Sequence, residues 1–223
     1  HIMETDRINH FYWGDMVDEN PEFVDGFYDF YEKIDEYIAK LVDELDEDTQ
    51  LMILSDHGFC KIKKEVQLNY WLEEKGYLKY SKARDEVESV ADMSKESKAY
   101  SLLPGRIYIN RNGREEMGSV EAEEYFELRE KIKEELLNLT DEAGKQIIRD
   151  VFFREEIYNG PYLEKAADII AVPERGYDLK GKAAPDSFME EGFIQGMHTY
   201  DDAFVYLRDD KHKLAEVDKI KDL

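Results

Sequence analysis

A single cysteine, Cys60, gives the chain no intrachain disulfide. It fits a reducing compartment, and we expect a cytoplasmic protein. Long apolar runs are missing as well. None approaches the roughly 20 residues needed to cross a bilayer, and no signal-peptide pattern is visible. Bases are scarce: 30 Lys and Arg stand against 53 Asp and Glu, a formal net charge of −23. Nucleic-acid polymers and anionic membranes each need a basic face, so neither is an expected partner. A nucleotide-sized substrate stays open, because bound cations can supply positive charge locally. Internal repeats and low-complexity segments are also absent.

What is present can build a core. The chain is 42% hydrophobic and 13% aromatic, which excludes a disordered tail. Its 223 residues allow one large domain or two small ones. Asp6 and His10, four apart, share one face of a helical turn. Asn20-Pro21 reads as N-cap and first-turn proline. The helix that follows carries Phe23, Phe27, Phe30, Ile34, Ile38, Leu41 and Leu45 at three- and four-residue steps.

The apolar run Gln50-Leu51-Met52-Ile53-Leu54 predicts a buried strand that stops at Ser55-Asp56-His57-Gly58. Neighbours on a strand point to opposite faces, so Asp56 and His57 reach one ligand only where the strand has ended. Gly58 permits that break, although a plain strand-ending turn uses the same residue types. Residues 67–75 predict a helix with Trp71 and Leu72 inward and Gly76 as its stop. Residues 81–98 read as a polar loop or mobile excursion.

Pro104-Gly105 marks a turn, and residues 106–110 alternate like a half-buried strand. After the Asn110-Arg111-Asn112-Gly113 turn, Ser119 is placed to cap a helix whose apolar stripe includes Ala122, Tyr125, Ile132, Leu136 and Leu139. Strands are expected at 147–153, at 168–172 before Pro173, and at 203–207, with 176–185 a loop. Helices leading into short apolar strands are α/β grammar.

Five histidines are present. His1 is terminal, and His212 lies in a charged segment that reads as surface. His10, His57 and His198 sit beside predicted strand ends or glycines. With Asp6 and Asp56 they offer five oxygen or nitrogen ligands, a set that suits zinc or manganese in one or two sites. Each alone has an ordinary explanation, since a lone histidine is more often a hydrogen-bonded core or surface residue.

Three stretches in order, Thr5-Asp6-Arg7-Ile8-Asn9-His10, Ser55-Asp56-His57-Gly58-Phe59 and Gly196-Met197-His198, resemble the alkaline phosphatase superfamily. The likeness is to its type I phosphodiesterase/nucleotide pyrophosphatase branch, within the predicted phosphohydrolases and phosphomutases. Pro104-Gly105-Arg106-Ile107-Tyr108-Ile109-Asn110 and Ala167-Asp168-Ile169-Ile170 also look like that group, so the resemblance runs from Thr5 to about Leu207. It implies a three-layer αβα fold with a mixed, mostly parallel central sheet, incomplete here, and an inserted α+β cap. Residues 1–66 would be core, 67–160 cap mixed with core, and 161–223 core again. Asp6, His10 and His198 would hold one divalent metal ion, and Asp56 and His57 would belong to a second site. The resemblance implies zinc, with manganese as the other choice, and a phosphate-ester or nucleotide substrate.

The family's nucleophilic Thr or Ser, and an earlier aspartate of the second site, lie upstream of the first motif. Thr5 does not match the nucleophile's place. We therefore expect the C-terminal part of a metal-dependent phosphohydrolase, inactive by itself, with His1-Ile2 either a cloning remnant or part of a longer chain. Missing early strands would leave a sheet edge to be satisfied by water or by another chain, as in a dimer. Two rival readings are a phosphomutase using the same metals and a non-catalytic acidic interaction module.

Overall fold

Five α-helices and eleven short strands form among residues 1–46 and 48–208, the part of the chain that the computed structural model describes. His212 lies outside the described residues. The helices are α1 (Glu4–Val17), α2 (Val24–Asp43), α3 (Leu68–Glu74), α4 (Ala122–Leu137) and α5 (Arg154–Ile157). The strands are β1 (Leu51–Leu54), β2 (Gly58–Lys61), β3 (Lys64–Gln67), β4 (Ala99–Leu103), β5 (Arg106–Ile109) and β6 (Ile148–Phe153). They continue with β7 (Ile169–Pro173), β8 (Tyr177–Lys180), β9 (Met189–Glu190), β10 (Gly196–Thr199) and β11 (Val205–Arg208). The protein is mixed α/β, and its strands make four small sheets. No helix among the described residues is long and apolar enough to cross a membrane. The described residues divide into two units, those of 1–61 with 193–208, and residues 62–192.

In the first unit, β1 pairs antiparallel with β11, and β2 with β10. Helix α1 packs on β2, β10 and α2. Its first turn carries Glu4 and Asp6, favourable against the helix dipole. It lies close on β10 because residue 196 is glycine: a Cβ there would overlap the Asn9 carbonyl oxygen and stand 2.8 Å from Trp13 Cβ. On α2, Phe27 is buried and Tyr31 donates to Asn9 Oδ1 at 2.8 Å.

Two expectations are corrected in this unit. Asn20-Pro21 does not open α2, which begins at Val24. Asn20 Oδ1 instead accepts from the Glu22 N–H at 3.1 Å, and the Asn20 carbonyl accepts from Phe23 and Val24. That is an Asx turn leading into the helix, the local alternative that Asn side chains offer. Strand β1 has the predicted bounds but is not buried. Met52 and Leu54 are exposed, and Leu51 and Ile53 half-buried. Burial on both faces needs cover on both faces, whereas β1 lies in a two-stranded ribbon.

The second unit carries the main core. Its four-stranded antiparallel sheet runs β4-β5-β7-β6, with α4 packed on β6 and β7. Ile107, Ile109, Ile132, Leu136, Ile148 and Ile169 are completely buried. A second sheet, β8-β3-β9, holds the one parallel ladder among the described residues, β3 with β8. Helix α3 places Trp71 and Leu72 inward and stops at Gly76, whose φ of 77° is the left-handed region.

Ser119 does not cap α4. Its hydroxyl donates to the Ser97 carbonyl at 2.6 Å, and the helix begins after Glu121. The expected loop 176–185 contains strand β8, whose Tyr177 and Leu179 are buried. The polar stretch 81–98 is anchored by buried Val90 and Ser97 and is not a free excursion.

Fully buried Asp168 anchors this unit electrostatically. It accepts from Arg114 at 2.7 and 2.9 Å, from the Tyr125 hydroxyl at 2.6 Å and from the Ile109 N–H at 2.7 Å. Burial, then the Asp168 carboxylate, pushes the Tyr125 hydroxyl up to about 12.

Candidate metal centre

Helix α1 presents Asp6 and His10 from one face, as their spacing predicts, and β10 brings His198 to them. His198 Nε2 lies 3.0 Å from Asp6 Oδ1 and 3.0 Å from His10 Nε2. One ligand atom from each of the three lies within 4.8 Å of the others. The tautomer of His10 follows from its other nitrogen. Nδ1 is 2.7 Å from the Gly196 carbonyl oxygen, which can only accept. Nδ1 therefore carries the proton, and in the neutral ring Nε2 offers its lone pair to the cluster.

The break after β1 carries Asp56 and His57 as the sequence requires. His57 joins the cluster. Its ring stacks on His198 with centroids 3.6 Å apart, and its Nε2 is 3.7 Å from Asp6 Oδ1. The Gly58 carbonyl, 3.2 Å from Nδ1, holds His57 in the same tautomer as His10. Asp56 stands at the rim, its side chain 82% exposed and its Oδ1 3.6 Å from His57 Nε2. All five candidate ligands thus lie in one neighbourhood, three of them, Asp6, His10 and His198, with ligand atoms in mutual reach, and His57 beside them.

Sequence alone gives Phe59 no role beyond its place in the second motif. It sits directly opposite His198 across the β2–β10 ladder. Its ring meets His10, His57 and His198 edge-on, with centroids at 5.1, 5.4 and 5.1 Å. Trp13 backs it at 5.7 Å. Edge-to-face contacts of this kind fix ring orientation beyond what area burial does. Only the register of β2 with β10 reveals the role, and no local pattern encodes that register.

One carboxylate and two imidazoles form the three-ligand set that zinc takes when a further position stays open. Burial, then His57, holds the His198 imidazole below its ordinary value against the opposing pull of Asp6. A neutral imidazole is the ligand form. Nearby hydroxyls are turned elsewhere. Thr5 donates to the Ile2 carbonyl at 2.8 Å, Thr199 donates to Asp202, and Ser55 accepts from the Phe204 N–H at 3.0 Å.

Fold and site together define a mixed α/β protein whose candidate centre is a carboxylate–imidazole cluster at the junction of a helix and a strand ribbon. The family model of type I phosphodiesterase / nucleotide pyrophosphatase matches residues 1–201, and the chain belongs to that family. No curated protein matches the chain. Membership agrees with the resemblance to the alkaline phosphatase superfamily and points to phosphohydrolase chemistry.

Proposed function

We propose that this chain is the C-terminal part of a metal-dependent phosphohydrolase acting on a phosphodiester or nucleotide pyrophosphate. The observation that carries this reading is the convergence of Asp6 Oδ1, His10 Nε2 and His198 Nε2, with His10 fixed in its ligand tautomer. These three would hold one divalent ion, zinc before manganese, and Asp56 with His57 would contribute to a second. A bound cation supplies positive charge against phosphate oxygens and polarises an attacking oxygen.

The chain's own residues bind and orient. The Gly196 and Gly58 carbonyls keep protons on the outer nitrogens of His10 and His57. Phe59 walls the three imidazoles from one side. In this proposal a Thr or Ser outside the chain attacks phosphorus, in keeping with the engagement of Thr5, Thr199 and Ser55 elsewhere. The reading includes a three-layer αβα fold with a mostly parallel central sheet for the whole protein, of which the β1–β11 ribbon is a piece. It further includes residues 67–160 as a cap mixed with core, a cytoplasmic location, and pairing of copies through the open ribbon edge.

Zinc content of the chain and of His198→Ala, together with cleavage of bis(p-nitrophenyl) phosphate, tests the proposal. Bound zinc in the native chain, its loss in the variant, and negligible turnover by the chain alone are expected. Equal metal in both, or brisk turnover, would overturn it. Phosphosugar isomerisation by the full-length protein in place of diester cleavage would move the assignment to a phosphomutase. The engaged hydroxyls also favour a second reading, an acidic interaction module, which absence of bound metal and a stable hetero-complex would establish.

A further inference from the structure

The triad is assembled from two elements far apart in sequence. Asp6 and His10 ride on α1, and His198, 192 positions beyond Asp6, rides on β10. A small slip of strand along helix would separate the ligand atoms, so something must set their relative height. Gln195, the residue before β10, bonds α1 at three points. Its backbone N–H donates to the His10 carbonyl at 2.7 Å. Its side-chain Oε1 accepts from the Asp15 N–H at 2.8 Å, and its Nε2 donates to Asp15 Oδ2 at 2.8 Å.

Asp15 is itself held from the other side, since Asn20 Nδ2 donates to its Oδ1 at 2.7 Å. The fit leaves no slack. A Cβ at Gly14 would come 2.7 Å from Gln195 Oε1, so the amide lies against bare helix backbone. Next along the chain, the Gly196 carbonyl accepts from His10 Nδ1. Gln195 and Gly196 thus grip both ends of the His10 residue, its main-chain oxygen and its ring.

We propose that Gln195 is the positioning residue of the metal centre. Its amide, one donor and one acceptor side by side, clamps β10 to α1 at Asp15 and so sets His198 at 3.0 Å from both His10 Nε2 and Asp6 Oδ1. The residue type is dictated by chemistry. A glutamate would turn a second carboxylate on Asp15, and a methionine would fill the space without either bond. The inference rests on the reading of the triad as a metal site, and it names a group that touches neither metal nor substrate.

The test uses the whole chain, loaded with Zn²⁺ for affinity by chelator competition and with Co²⁺ for its visible spectrum. Gln195→Met and Gln195→Glu should each weaken zinc about 10- to 100-fold, the range found when a partner behind a metal ligand is removed, and should alter the Co²⁺ bands. The double variant Gln195→Glu/Asp15→Asn swaps the two groups. The amide introduced at position 15 can then donate to the carboxylate introduced at position 195, while its carbonyl oxygen still faces Asn20. This pair should recover most of the affinity and the native spectrum, a rescue that loss of packing alone would not produce. Far-UV circular dichroism and thermal unfolding show which variants fold, and if Gln195→Met does not, the comparison of Gln195→Glu with the double variant carries the test. Native affinity and spectrum in a folded Gln195→Met, or no recovery in the double variant, would overturn the clamp while leaving the metal site standing. A native chain that takes up no zinc would overturn the metal reading and the clamp with it.

Discussion

Residues 62–192 hold nearly all of the buried apolar side chains, from Ile62 to Leu179, whereas the described part of the other unit buries only Phe27 and Met197. The smaller core belongs to the unit with the candidate centre. That unit is joined by directed polar contacts: His10 with Gly196, Gln195 with Asp15, Tyr31 with Asn9, and the Lys61–Asp18 ion pair. Hydrophobic burial scales with area and tolerates small shifts, whereas hydrogen bonds demand geometry. A unit that would hold metal-ligand atoms within ångströms, as we propose, gains positional definition from polar contacts. It gives up stability, since each such bond contributes only about 1 kcal/mol net.

The sharpest way to break this contrast lies in the larger unit. Asp168→Ala leaves Arg114 and Tyr125 facing a buried gap, and chemical denaturation should show a loss of about 3–5 kcal/mol. Leu136→Ala, at a completely buried site, should cost about 2–5 kcal/mol. Met52→Ala, on the exposed side of β1, should stay within about 0.5 kcal/mol. Comparable losses at Met52 and Leu136 would erase the distinction.

Metal should narrow the difference from the other side. Zinc at about 100 times its Kd should stabilise the unit holding the triad by about 2.7 kcal/mol. Hydrogen-exchange protection should rise along α1 and β10, and His198→Ala should abolish the effect. Protection gained mainly in residues 62–192 would place the ion elsewhere. A subtler change is Phe59→Leu, which removes the common wall of three imidazoles. We expect zinc affinity to fall roughly tenfold, measured by chelator competition, with little change in α4 or its sheet.

A modest effect is expected in acid. The Arg129 guanidinium, bonded at 2.7 and 3.0 Å, holds the Glu155 carboxyl down at about 2, from an ordinary 4.5. A depressed folded-state value means the stabilisation is present above pH 4.5 and lost as pH falls toward 2. Glu155 is partly exposed, so solvent screens the pair and the effect is modest. Urea midpoints should decline less between those pH values in Glu155→Gln than in the native chain.

The parts legible in sequence were those encoded within a few residues. The shared face of Asp6 and His10 follows from i,i+4 spacing, the end of β1 from Ser55-Asp56-His57-Gly58, and the stop of α3 from Gly76. The mixed α/β class followed from helices leading into short apolar strands. What escaped depends on distant partners. β8 hid between Gly176 and Gly181, because its strand character comes from parallel pairing with β3. β1 was apolar enough for burial, yet its ribbon leaves two residues exposed. Asn20 has capping chemistry, but its side chain serves a turn that ends before the helix starts at Val24. Gln195 carries no local signal, since its meaning lies in Asp15, 180 positions away.

The edge-on packing around Phe59 has a consequence for observing this protein. An aromatic ring in a magnetic field shifts the resonances of nuclei close to it, with a sign and size set by angle and distance. With three imidazoles disposed around one phenyl ring, the C–H protons of His10, His57 and His198 will be displaced from their free-histidine positions. Each displacement reports the seating of a different element: α1, the β1–β2 connection and β10. One half-buried phenylalanine thus supplies the candidate centre with a native nuclear magnetic resonance gauge of its own assembly.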